Sequence, residues 1–85
     1  MTKCYICQIG GYEWSEIRKV TTDREEALRW KRNVSRIVSK AEAMREKWRM
    51  HYAKDRDYTE VFNYTAKHDM RFDTSYAGIE EHDLE

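Results

Sequence analysis

The chain has 85 residues and a mass of 10.4 kDa, which is the size of one small domain. Charged residues make up 38% of it and the mean hydropathy is -1.02, but 40% apolar residues argue against a disordered chain. The longest uninterrupted apolar run, Cys4–Cys7, has four residues, whereas a membrane span needs about 20. With no apolar leader segment and only two cysteines, we expect a protein of the cytoplasm that does not bind membranes.

The formal net charge of zero hides an uneven distribution along the chain. Residues 24–57 contain 11 lysines and arginines against six acidic residues, whereas residues 58–85 contain two against seven. A basic middle followed by an acidic end has two interpretations. It marks a surface for nucleic acid, or the two parts neutralise each other within one fold. The pI of 6.8 favours the second interpretation.

An N-terminal β-hairpin is predicted by two strand-like runs around a glycine pair. The segment Lys3–Ile9 is rich in strand-forming residues and is followed at once by Gly10-Gly11. Two glycines at this place indicate a hairpin, because both accept the positive φ that a two-residue turn requires. The second strand is predicted over Tyr12–Val20.

The length of the turn decides the register of this hairpin. A turn of two residues pairs Cys7 with Trp14, whereas a longer loop over Gly10–Ser15 shifts every pair. In both arrangements the first strand has apolar side chains on each face. We therefore expect a strand that is covered on both sides.

A long amphipathic helix is predicted from residue 23 to about residue 54. It begins at a capping box, in which Thr22 accepts from the amide of Glu25 and the Glu25 side chain reaches back. Apolar residues then recur at spacings of 3 and 4, which is the pattern of a helix with one apolar face. This apolar stripe consists of Ala27, Trp30, Val34, Ile37, Ala41, Met44 and Trp48, with His51 at its end.

The predicted helix is longer than a small globule can cover. About 32 residues extend roughly 48 Å, against a diameter of roughly 30 Å for a globule of this size. The sheet of the same chain would therefore leave Met44 and Trp48 on water. We expect a homodimer paired through the helix, with Trp48 near the contact. The alternative is a helix that breaks near Asn33–Ser39 and folds back.

A second hairpin is favoured after the helix. Tyr58–Ala66 is rich in β-branched and aromatic residues, and Met70–Tyr76 alternates apolar with polar residues. The alternative for the first of these segments is a short helix with Asp57 as its cap and Glu60 in its first turn.

These elements make one α+β domain over residues 1–77, in the order β-β-α-β-β. Residues 78–85 are rich in acidic side chains and are expected to form a frayed acidic tail. The chain contains no repeat, linker or low-complexity tract that would divide it further.

The sequence does not predict a metal, cofactor or catalytic site. Cys4 and Cys7 have the spacing of half a zinc site, but side chains three residues apart on a strand point to opposite faces. We therefore expect two buried thiols and no metal. The chain also lacks a glycine-rich phosphate loop, HExxH and GxSxG, so we expect that it is not an enzyme.

One face of the predicted helix is basic. At 100° per residue, six cations fall within roughly 80° of one another. Such a line can follow a phosphate backbone, so a small nucleic-acid-binding regulator is the alternative function. The basic stripe consists of Arg29, Arg32, Arg36, Lys40, Lys47 and Lys54.

Aromatic and arginine side chains give a second set of candidates, because Trp, Tyr and Arg dominate the hot spots of protein interfaces. Tyr12 and Trp14 lie near the predicted hairpin tip, where burial in a core does not explain them. The others lie toward the end of the predicted helix. The partner-binding candidates are Tyr12, Trp14, Arg45, Trp48, Arg49 and Tyr52.

Three short motifs in about the first 30 residues carry a family resemblance. They are Tyr5-Ile6-Cys7, Gly10-Gly11-Tyr12, and Val20-Thr21-Thr22 followed by Glu25, Glu26 and Ala27. Together they resemble small β-β-α binding proteins encoded by phages and mobile elements. The resemblance implies a phage-encoded inhibitor that occludes a functional site of a host or anti-phage defence protein in the host cytoplasm. The long helix and the charged C-terminal half depart from this family pattern.

Overall fold

The structure is a computed structural model that describes residues 2–50 and 59–84, apart from the side chains of residues 48–50. Five elements follow one another: β1 (Thr2–Gly10), β2 (Ser15–Thr21), α1 (Arg24–Met50), α2 (Thr59–Lys67) and β3 (Tyr76–Leu84). β1 is the central strand of a three-stranded antiparallel sheet with the order β2-β1-β3. The fold is α+β, as predicted, but its order is β-β-α-α-β rather than β-β-α-β-β.

The β1–β2 hairpin turns through residues 11–14, so the longer loop is confirmed and the two-residue turn is wrong. Cys7 pairs with Lys19 and not with Trp14. No glycine of the chain has a positive φ, which removes the physical basis of the two-residue turn.

The two glycines of the hairpin are required for close packing instead. A Cβ atom on Gly10 would lie 2.3 Å from the hydroxyl of Tyr76, whose ring covers this glycine. A Cβ atom on Gly11 would lie 2.3 Å from Trp14 Nε1. Each glycine therefore allows an aromatic ring to lie directly on the backbone.

α1 begins one residue later than predicted, because Asp23 is its cap and the capping box at Thr22 is wrong. Asp23 Oδ1 accepts from the amide N–H of Glu25 at 3.0 Å and from that of Glu26 at 3.4 Å. The Thr21 hydroxyl donates to Glu26 Oε2 at 3.0 Å. A carboxylate at this position also interacts favourably with the positive end of the helix dipole.

The apolar stripe of α1 packs on one face of the sheet, the helix face. Alternate residues of β1 point to this face and are buried, among them Ile9 and Cys7. Their burial supplies the main stabilisation, at about 25 cal/mol for each Å² removed from water. The core cluster consists of Tyr5, Cys7 and Ala27, with Trp30 and Ile79 packed against it.

α2 occupies most of the segment Tyr58–Ala66, so the predicted strand there is wrong and the short helix is confirmed. Val61 and Thr65 are one helical turn apart, and both are buried. The β-branched residues that favoured a strand therefore share one helical face, which packs against α1. Burial of that face outweighs their intrinsic β propensity.

The ends of α2 have ordinary helix chemistry. Glu60 lies in its first turn and Lys67 in its last, where each complements the helix dipole. At the C-terminal end, Asp69 has a φ of 55°, and the Met70 amide donates to the Thr65 carbonyl at 2.8 Å. This is a Schellman-type end with an aspartate in the left-handed position. The predicted cap at residue 57 lies outside the described residues.

β3 shows that the prediction of a frayed acidic tail over residues 78–85 is wrong. All nine residues of β3 pair with β1, and Lys3 Nζ binds Glu81 Oε2 at 3.3 Å across the two strands. The predicted domain boundary after residue 77 falls inside this strand. The predicted strand over Met70–Tyr76 is wrong, because residues 68–75 form the loop that leads into β3.

Candidate protein-binding surfaces

The tip of the β1–β2 hairpin carries two of the predicted partner-binding residues in different environments. Tyr12 is 97% exposed. Trp14 is held by the loop of residues 68–75, because its Nε1 donates to Asp73 Oδ2 at 3.1 Å. The guanidinium of Arg71 lies 4.7 Å from the centroid of the Trp14 ring. Tyr12 therefore projects from a support that is tied to the body of the protein.

Arg45 of α1 holds the same loop from the other side. Its guanidinium donates to the carbonyl of Phe72 and, at 3.1 Å, to the carbonyl of Thr74. The loop also contacts α2, because the rings of Phe62 and Phe72 lie with their centroids 4.5 Å apart. Arg45 thus positions the loop, and its direct contact with a partner stays a prediction.

These contacts frame a cleft of about 690 Å³ between the hairpin tip, α1 and the loop. Three carboxylates line it, while the Arg45 guanidinium is engaged with two backbone carbonyls. Negative charge beside an exposed aromatic ring suits a cationic segment of a partner. We call this the tip cleft; its lining includes Tyr12, Glu42, Arg45, Glu46, Asp73 and Ser75.

Three of the predicted partner-binding residues meet at the tip cleft: Tyr12 and Arg45 line it, and Trp14 binds Asp73 in its wall. The side chains of Trp48 and Arg49 lie outside the described part of the chain, as does residue 52. Distant parts of the sequence therefore converge at the hairpin tip.

The apolar stripe of α1 is covered within the chain over most of its described length. Ala27 and Ala41 of the stripe are buried, and Val34, Ile37 and Met44 are half-buried. α2 packs on α1, where Lys40 Nζ lies 4.8 Å from the centroid of the Tyr64 ring. α1 is continuous through Asn33–Ser39, so the alternative of a helix that breaks there is wrong. The sheet and α2 supply the cover that was expected from a second molecule. Dimerisation through residue 48 stays a prediction.

Five residues of the basic stripe lie in the described part of α1, and all five are exposed. Lys40 contacts the ring of Tyr64. No ion pair within residues 2–50 and 59–84 involves Arg32 or Arg36. Lys54 lies outside these residues. The basic stripe therefore remains a surface that could meet phosphates.

The second face of the sheet, the open face, is not covered by any described segment. α1 packs on the helix face, and α2 packs on α1. On β2, Ile17 is 60% exposed and Val20 is 59% exposed. At Gly78 of β3, no atom lies within 4 Å of the position that a Cβ would occupy. On β1 itself Cys4 is buried and Ile6 and Gln8 are half-buried, so the prediction that β1 is covered on both sides stays a prediction.

A β-bulge in β2 keeps cations away from the open face. The β1–β2 register shifts once, directly after Cys7, which places Arg18 and Lys19 together on the helix face. There Arg18 binds the carboxylate of Asp69 and Lys19 binds that of Glu26. Strict alternation would have put one of the two cations on the open face.

The open face carries very little charge. Of its residues in the described strands, Glu80 carries a charge and His82 gains one on protonation, and His82 Nε2 lies 3.0 Å from Glu80 Oε1. Such a face is unusual in a chain with 38% charged residues, and exposed surface of low charge is typical of contact surfaces. The open face consists of Thr2, Cys4, Ile6, Gln8, Gly10, Ser15, Ile17, Val20, Tyr76, Gly78, Glu80, His82 and Leu84.

The two cysteines lie on opposite faces of β1, as the strand geometry predicts. Cys7 is buried against the core cluster, and this burial raises the pKa of its thiol. Cys4 lies on the open face beside His82 of β3. Within the described ranges, no group of three or more His, Cys, Asp or Glu side chains could hold a metal ion.

Sequence reasoning did not single out the open face as a surface. The predicted cover on both sides concerns the first strand alone, and Gly78 falls in the predicted tail. The signal that could have found the face is the pair of adjacent cations between two β-branched residues, which breaks the period of two and indicates a bulge. No sequence signal places Asp73 beside Trp14, because only the tertiary fold joins them.

No protein-family model, curated protein or solved structure matches this chain. The resemblance of its first 30 residues to phage-encoded β-β-α proteins therefore stays a prediction. None of the described helices is long and apolar enough to cross a membrane.

Proposed function

We propose that this chain is a non-enzymatic protein-binding module that contacts its partner at the tip cleft. One observation carries the proposal: Tyr12 is 97% exposed and stands at the mouth of a cleft lined by three carboxylates. A large aromatic side chain on water has no structural role in the chain, whereas buried in a partner it is a typical hot spot.

The support of Tyr12 is ordered before a partner arrives. Trp14 binds Asp73, and Arg45 donates to two carbonyls of the same loop. Contacts of this kind fix both walls of the tip cleft, so that little conformational entropy is lost on association. Within the module, the remaining loss of conformational entropy is that of the Tyr12 side chain, which has only two torsions.

The partner class follows from the charge of the tip cleft. Glu42, Glu46 and Asp73 bring negative charge to its walls, which favours a partner segment with a lysine or arginine at the contact. Occlusion is the mode of action that the β-β-α resemblance implies: the module covers a functional site of its target. Host proteins and anti-phage defence proteins are the target classes that this resemblance suggests.

Affinity capture with matched variants tests the proposal. The chain and its Tyr12→Ala and Glu42→Lys variants are immobilised, exposed to lysate, and compared by quantitative mass spectrometry with an Arg32→Ala, Arg36→Ala control. A true partner is lost from both tip variants and retained by the control. With that partner purified, calorimetry should show Tyr12→Ala raising the dissociation constant by about 30-fold. A partner retained by both tip variants would refute this site.

The second candidate function is nucleic-acid binding through the basic stripe, and the exposure of Arg32 and Arg36 supports it. In that case log affinity for duplex DNA falls with log salt at a slope near −0.9 per neutralised phosphate. We expect no binding tighter than about micromolar at about 0.15 M salt. Nanomolar binding in fluorescence anisotropy, lost with Arg32→Glu, would make this the leading function.

A further inference from the structure

We propose that the open face is a two-fold interface with a second copy of this chain. The inference does not rest on the tip cleft, which lies at the hairpin end and uses different residues. It rests on the strand register, which determines which side chains lie on the open face. Their shape and their low charge allow a second copy to pack on this face.

The shape is set by one row of residues across the three strands. Gln8 of β1 pairs with Ile17 of β2 on one side and with Gly78 of β3 on the other. Ile17 is 60% exposed and forms a ridge. At Gly78 the same row has no side chain, and beyond its two chain neighbours nothing lies within 4 Å of a Cβ position there. We call this gap in the row the hollow. The ridge and the hollow lie at the same position along the strand direction, on opposite edges of the sheet.

A two-fold axis parallel to β1 brings the ridge and the hollow together. It lies between two stacked sheets and places β2 of each copy over β3 of the other, with no shift along the strands. Ile17 of one copy then lies over Gly78 of the second copy, and the contact occurs twice. Gln8 meets its own equivalent on the axis, where two amides can exchange hydrogen bonds.

The neighbouring row is compatible with the same stacking. Ile6 meets its equivalent on the axis, and Val20 lies over the aliphatic part of Glu80 from the second copy. The Glu80 carboxylate is held by His82 of its own strand. Stacked sheets lie about 10 Å apart, a distance that one layer of side chains from each copy fills.

The low charge of the open face permits a second copy as its occupant. Glu80 and His82 of the open face bind each other within the chain, so two copies meet without a net electrostatic penalty. The basic stripe of α1 would repel its own copy, and so would the acidic outer strand β3 paired edge to edge. Of these three described surfaces, the open face is therefore the one that we assign to self-association.

The size of the open face sets the strength of the dimer. Nine residues of β1 extend about 30 Å, and three strands are about 14 Å wide, which gives a flat area of about 400 Å² per copy. Stable interfaces bury about 800 Å² per partner. We therefore expect a dimer with a dissociation constant of about 10 μM.

Sedimentation equilibrium of the full chain up to about 200 μM tests this interface. The wild type should show a monomer–dimer equilibrium. Ile17→Asp should raise the dissociation constant by about 100-fold, because the symmetry places two carboxylates in the apolar contact. Tyr12→Asp is the matched control and should leave it unchanged. A wild type that stays monomeric, or a dimer that Ile17→Asp leaves intact, overturns the proposal.

A second set of variants tests the ridge-and-hollow geometry separately from folding. In the monomer, a side chain at Gly78 meets nothing within 4 Å and the backbone φ is not positive, so Gly78→Val folds. In the dimer it fills the hollow and should raise the dissociation constant by about tenfold. Adding Ile17→Ala to the same chain should restore the wild-type constant. A folded Gly78→Val that dimerises like the wild type, or a double variant without recovery, overturns this stacking.

Discussion

Replacing Ile79 by alanine tests whether the acidic C-terminal segment is part of the core. Ile79 pairs with Cys7 and packs from β3 against the core cluster. A buried isoleucine contributes about 1.5–3 kcal/mol, and truncation to alanine adds the cost of a cavity. Since Ile79 is half-buried, we expect a loss of about 2 kcal/mol. A domain of 85 residues has only about 4–13 kcal/mol of stability in total.

Urea unfolding, followed by circular dichroism and tryptophan fluorescence, measures this loss. With a slope of about 1 kcal/mol per molar urea, the midpoint of Ile79→Ala should fall by about 2 M. Leu84→Ala is the matched control, because Leu84 lies on the same strand but is 50% exposed. At about 1 μM protein, which is below the dissociation constant proposed for the dimer, it should change stability by less than about 0.5 kcal/mol. Equal midpoints for Ile79→Ala and the wild type would show that this segment does not pack on the core.

Three further variants or labels test the N-terminal half. Hydrogen bonds from Lys19 and Thr21 hold the pKa of Glu26 below its ordinary value of 4.5, so the native state binds fewer protons than the unfolded state. Stability should therefore fall as the pH drops from about 4.5 through the lowered pKa, and urea unfolding of Glu26→Gln should show a smaller fall. The Cys7 thiol is buried with a raised pKa, so mass spectrometry should find its alkylation by iodoacetamide only as fast as the protein opens. Asp23→Ala removes the cap of α1 and should cost about 1 kcal/mol in thermal unfolding.

The central strand and the long helix could be predicted from the sequence because local patterns specify them. Lys3–Ile9 combines strand propensity with a glycine stop, and the apolar spacing after Ala27 fits only a helical period. Burial then agrees with the pattern, since Cys7 and Ala27 both lie in the core cluster. Tyr12 and Arg45 could be selected as partner-binding candidates because their residue types are typical of interfaces. That both line the same cleft could not be predicted from the sequence.

The C-terminal half could not be predicted because its local signals oppose its tertiary contacts. Val61 and Thr65 have β propensity, yet their spacing of four places both against α1. The last strand is acidic because it lies at the edge of the sheet, where the backbone pairs on one side and many side chains remain on water. From composition alone, such a strand is predicted to be a solvated tail. Only its register with β1 and the burial of Ile79 distinguish an edge strand from a solvated tail.

The two proposed surfaces are connected through symmetry rather than contact. A two-fold axis parallel to β1 leaves the strand direction unchanged, so both hairpin tips of the dimer point the same way. Each tip cleft lies on the helix side of its own sheet, away from the open face, and remains accessible. A dimer therefore presents two copies of Tyr12 to one target surface. Binding at the second tip becomes intramolecular, with an effective concentration that reaches the millimolar range for closely linked sites. The bulge in β2 serves both surfaces, because it orients Arg18 toward Asp69 at the start of the loop that supports the tip while keeping cations off the open face.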